Sequence, residues 1–157
     1  MMPVLLALAI TAPRTEVGLF SGPGRACLKH SYIDLAEGES LKIEGAGTES
    51  AHFTLRASRK SLRLIESEII GGPKVHRSIS FDGGRTGVLR TGAGKNQRYS
   101  FYARGSDDPT LVLWVPTGGG AVAAALARRI HVADPEPASC SHSYRYGWDV
   151  ISETLDQ

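Results

Sequence analysis

The sequence predicts an all-β domain, a sandwich or small barrel of about eight or nine short antiparallel strands, with at most one short helix near residues 121–129. Three observations predict it. Turn-forming clusters recur at short intervals: Gly45-Ala46-Gly47, Gly71-Gly72-Pro73, Asp82-Gly83-Gly84, Gly92-Ala93-Gly94, Gly105 to Pro109 and Pro116 to Gly120. Between them the apolar residues alternate with a period of two. One run, Leu111-Val112-Leu113-Trp114-Val115, is apolar on both faces and suits a central covered strand.

Taken in order, Leu41 and Ile43 flank Lys42, the first alternating pair. Phe53, Leu55 and Ala57 share one strand face, and His52, Thr54 and Arg56 the other. Leu62 and Leu64 alternate with Arg63, and the pattern slips at Ile65, which predicts a bulge or bend. Val75, Ile79 and Phe81 alternate, interrupted by Arg77. The segments around Asp82-Gly83-Gly84 read as a tight hairpin. Tyr99, Phe101 and Ala103 face one way; Arg98, Ser100, Tyr102 and Arg104 face the other. Ala121 to Arg129 is the helical candidate, with Val122, Leu126 and Ile130 at helical spacing, although Arg129 falls close to that apolar face. Asp134-Pro135-Glu136-Pro137 is a stiff loop that leads to Cys140.

The 157 residues, 41% hydrophobic, suffice for one domain with a real core. Residues 1–12 read as a signal-peptide-like apolar leader and 13–157 as a single β-rich domain. The leader is apolar from Pro3 to Ile10 and carries no charge before Arg14; it is too short to span a membrane and lacks a basic start. These features predict a periplasmic or secreted protein with no transmembrane segment.

Cys27 and Cys140 are the only cysteines. An even count in an exported chain predicts a disulfide that ties the first strand to the last. Two alternatives are free thiols and a zinc site made of Cys27, His30, Cys140 and His142, since two close Cys/His pairs supply four tetrahedral ligands. In Ser139–Trp148, SCSHSYRYGW, residues Tyr144, Tyr146 and Trp148 alternate, which predicts an aromatic closing strand.

Net charge is only +2, but it is unevenly spread: residues 1–55, 56–104 and 105–157 carry −2, +8 and −4. The basic middle, with eight arginines and three lysines, predicts a face for an anionic partner, because the planar guanidinium suits carboxylate, sulfate and phosphate. The residues assigned to that face are Arg63, Arg77, Arg90, Arg98, Tyr102 and Arg104. A solvated sheet face that resists edge pairing is the plainer explanation of the same charges.

Glu66 and Glu68 share a strand face, an arrangement that hydrolases and cation sites use but that solvated faces also show. The five histidines have no metalloprotease spacing, no G-x-S-x-G occurs, and Gly92-Ala93-Gly94-Lys95 lacks the offsets of a phosphate loop. No cofactor is expected. Nucleic acid is not an expected partner, for want of a recognition helix or aromatic RNA-binding motif. The functional expectation is a binding or structural module for an anionic glycan, lipid headgroup or acidic protein. The alternatives are a periplasmic inhibitor or envelope accessory protein, and a small hydrolase with a site that no motif marks.

Overall fold

A computed structural model describes residues 18–68, 80–82, 86–133 and 135–145. The leader, Arg77, Tyr146 and Trp148 lie outside the described residues. The alternating segments build the larger of two sheets. β4 (Ser40–Ala46), β5 (Ser50–Ala57), β6 (Lys60–Ser67), β8 (Thr86–Thr91), β9 (Arg98–Ala103) and β10 (Leu111–Trp114) form its body, with β1 (Leu19–Ser21) and β7 (Ser80–Asp82) at its edges. Their order is β1-β4-β5-β6-β10-β9-β8-β7, and all pairs are antiparallel. β10 sits between β6 and β9, and Leu111, Val112 and Leu113 are buried on both faces, as its composition predicts.

The smaller sheet contains β2 (Gly24–Cys27), β3 (Tyr32–Leu35), β11 (Ile130–His131) and β12 (His142–Ser143), in the order β11-β3-β2-β12. It packs Ala26, Leu28, Ile33, Leu35, Ile130 and Val132 against Leu41, Phe53, Leu55, Leu62, Leu64, Phe101, Leu111 and Leu113 of the large sheet in one core. Burying each large side chain stabilises the fold by about 1.5–3 kcal/mol. α1 (Gly120–Ala127) adds Ala123, Leu126 and Ala127. None of the helices among the described residues is long and apolar enough to cross a membrane.

The fold class is as the sequence predicts, with four corrections. Twelve strands are present among the described residues rather than eight or nine, since β1, β2, β3, β11 and β12 are only two to four residues long, too short to show a period. β12 pairs with β2 in parallel, whereas antiparallel strands alone are expected. β6 runs through Ile65 in continuous register with β5, without a bulge; the irregularity lies in β4 between Ile43 and Gly45. The helix stops before Arg129, which removes the conflict with its apolar face. The Arg129 guanidinium instead reaches both oxygens of Glu39 at 2.6 and 2.7 Å and the carbonyl of Asp34 at 2.8 Å.

Candidate functional site

Alternation that sends Leu62, Leu64, Leu111 and Leu113 inward turns Arg63, Val112 and Trp114 to the other face of the sheet, where Val112 is buried and Arg63 is exposed. Strand register then sets Lys42 opposite Thr54, Thr54 opposite Arg63, Arg63 opposite Trp114, Trp114 opposite Arg98 and Arg98 opposite Thr91. These six residues form one row across six strands on the outer face of the large sheet. All are exposed or half-buried.

At the centre of the row an indole stands between two guanidiniums. The Arg98 guanidinium lies 5.3 Å from the Trp114 ring centroid, within cation–π range, and its Nε donates to Thr91 Oγ1 at 3.3 Å. Arg63 Nη2 stands 3.5 Å from His52 Nδ1. Neither Arg63 nor Arg98 forms an ion pair among the described residues. Arg25 and Arg129 differ: they are committed to Asp34 and Glu39. Trp114 Nε1 is buried and has no hydrogen-bond partner among the described residues.

Of the residues assigned to the basic face, the structure brings Arg63 and Arg98 together. Tyr102 lies on the same face but is 0% exposed, so it presents nothing to solvent. Arg90 is on the opposite face, because the β8–β9 register pairs Arg90 with Tyr99 and Arg98 with Thr91. Arg104 falls in the turn after β9. Arg77 lies outside the described residues.

The second constellation surrounds the cysteines. Cys27, at the end of β2, and Cys140, just before β12, form a disulfide across 113 residues of sequence. The segment it pins lies along β2. Ser141 N donates to Arg25 O, Tyr144 N donates to Cys27 O, and Arg25 N donates to Ser141 Oγ, each at 2.9–3.2 Å. His142 stacks on Phe20 with ring centroids 5.1 Å apart, and its Nε2 stands 3.0 Å from Ser21 O. Tyr144 meets Phe53 edge-on at 5.9 Å. Among the described residues of SCSHSYRYGW, His142–Ser143 is the strand; Tyr146 and Trp148 of the expected closing strand lie outside them. The zinc set of Cys27, His30, Cys140 and His142 is not assembled: both sulfurs are bonded to each other, and His30 Nε2 faces Glu68 Oε1 at 3.2 Å. No group of three or more metal-ligating side chains is placed to hold an ion among the described residues.

Beside this disulfide the sequence reading missed a buried acid. Leu62, Leu64 and Glu66 keep the inward alternation of β6, so Glu66 points into the interior at 0% exposure. Its Oε1 accepts from His30 N at 3.0 Å and Ser31 Oγ at 2.6 Å, and its Oε2 accepts from Lys29 N at 3.1 Å. Burial pushes the Glu66 carboxyl above its ordinary value, against the pull of these three donors. Glu68 takes the side chains of the same turn: Lys29 Nζ and His30 Nε2 hold its carboxyl below the usual range. The carboxylate pair therefore grips the β2–β3 turn. Glu66 has both oxygens occupied and is not exposed to solvent, which suits an anchor rather than an acid–base group.

The outer row can attract anions and stack a flat apolar ring; the disulfide corner holds the two sheets in place. No protein family, curated protein or solved structure matched this chain.

Proposed function

We propose that the chain is an extracytoplasmic β-sandwich module that binds an anionic ligand on the outer face of its large sheet. The observation that carries this reading is the Arg63–Trp114–Arg98 row, in which two guanidiniums without carboxylate partners among the described residues flank a half-buried indole. An arginine left unpaired on a folded surface is available for bidentate contact with carboxylate, sulfate or phosphate. The Cys27–Cys140 disulfide supports the extracytoplasmic part, since such bonds persist in oxidising compartments.

The test is retention of the full chain on immobilised heparin at low ionic strength. Salt-sensitive retention that falls at least tenfold in the Arg63→Ala/Arg98→Ala variant is expected. Absence of retention, or retention that the double variant leaves unchanged, refutes the reading.

A further inference from the structure

The outer row has a periodicity that the charge total does not reveal. Across β4, β5, β6, β10, β9 and β8 it reads Lys42, Thr54, Arg63, Trp114, Arg98, Thr91. A cation occupies every second strand, and a neutral residue stands between each pair. Neighbouring strands lie about 4.8 Å apart, so successive cations are spaced by about 10 Å along a line perpendicular to the strands. Lys42 Nζ is 3.5 Å from Glu44 Oε2 in an exposed pair, a contact weak enough to yield to a ligand.

A pyranose unit advances a linear glycan by about one strand spacing. A polysaccharide that carries one carboxylate or sulfate per disaccharide thus presents its charges at the interval of Lys42, Arg63 and Arg98. The uncharged sugar between two charged ones then falls on Trp114, whose ring supplies the flat apolar surface on which the C–H face of a pyranose packs. A lipid headgroup needs one cluster of cations, not a regular line. A polymer charged on every sugar places half its anions over Thr54 and Trp114, which carry no charge; the nearest cation on that face of β5, Arg56, stands two residues off the row.

From this, and resting on the anion-binding reading above, we infer that the row is a linear subsite for an acidic polysaccharide with alternating charged and neutral sugars, laid across the strands. The chain reads the spacing of charges rather than their number.

Titration calorimetry of the full chain tests this with four probes: an alternating glucuronate–N-acetylglucosamine hexasaccharide, its tetrasaccharide, a galacturonate hexamer and neutral chitohexaose. The expected result is that the alternating hexasaccharide binds at least tenfold more tightly than chitohexaose, and no more weakly than the galacturonate hexamer despite half its charge. Lys42→Ala is expected to weaken the hexasaccharide severalfold and leave the tetrasaccharide, which spans only Arg63 and Arg98, unchanged. Lys42 is exposed, so its removal does not endanger the fold. Affinity that follows charge number alone, or a Lys42→Ala loss equal for both lengths, overturns the inference. Heparin retention that survives in that case leaves the parent reading standing. Binding to phosphatidylglycerol vesicles with no binding to any oligosaccharide overturns the inference in favour of headgroups.

Discussion

Replacing Glu66 tests how the carboxylate grip organises the corner beside the disulfide. In Glu66→Ala the Ser31 hydroxyl loses its acceptor in a buried place, and the Lys29 and His30 amides lose theirs in a partly buried one. Each stranded donor costs about 1–3 kcal/mol, and partial opening of the turn to water recovers some of this, which leaves a net loss of about 3–5 kcal/mol. Glu66→Gln keeps one oxygen for His30 N and Ser31 Oγ but turns its amide toward the Lys29 N–H, at a cost of about 1–2 kcal/mol.

The glutamine variant also carries a pH signature. Burial raises the folded carboxyl above the value of about 4.3 that it has in the unfolded chain. Between those two values the native protein binds more protons than the unfolded chain, so stability falls as pH rises through the window. Glutamine lacks this slope, so its deficit relative to the parent protein shrinks with rising pH. The groups that face the site are the Lys29 and His30 amides, Ser31 Oγ and the His30 ring, with Lys29 Nζ and Glu68 one step away; all remain in both proteins. Urea unfolding of both proteins in steps across the carboxylate range measures the deficit directly. A deficit that grows with pH would show that the three donors outweigh burial and hold Glu66 ionised, and would refute the reasoning.

Removal of the disulfide in Cys27→Ala/Cys140→Ala restores the closure entropy of a 113-residue separation and is expected to cost about 4–5 kcal/mol in urea unfolding. A loss below about 1 kcal/mol would mean that the Arg25, Ser21 and Cys27 hydrogen bonds hold the segment on their own. The β5–β6 hairpin turns through Ser58 and Arg59 with φ of +46° and +62°, a left-handed pair that neither residue favours. Ser58→Asn/Arg59→Gly is expected to relieve about 1 kcal/mol and to raise the thermal midpoint by about 2–4 °C. An unchanged or lower midpoint would show that the turn carries no such strain.

What the sequence disclosed and what it concealed follow from how far each feature reaches along the chain. β5 was legible because Phe53, Leu55 and Ala57 alternate without interruption, and β10 because its apolar run admits no wet face. The Cys27–Cys140 pair was legible by count. Glu66 was not, because a buried carboxylate breaks the hydrophobic pattern and its donors lie 35–37 residues upstream. That break, read as a bulge or bend at Ile65, was the only local sign of it. The Ser58–Arg59 turn was hidden because it contains no glycine or asparagine. Membership of the basic face depended on strand register: a shift of one residue separates Arg90 from Arg98, and no composition reveals that shift.

Trp114 itself gives the most direct measurement of the central claim. Trp148 is the other tryptophan of the chain, so in Trp148→Phe the emission reports the row alone. Titration with heparin at low ionic strength is predicted to change Trp114 emission saturably, with an effect that weakens as salt screens the guanidiniums and disappears in the added Arg63→Ala/Arg98→Ala background. Heparin binding that leaves Trp114 emission untouched would place the anion elsewhere and contradict the account.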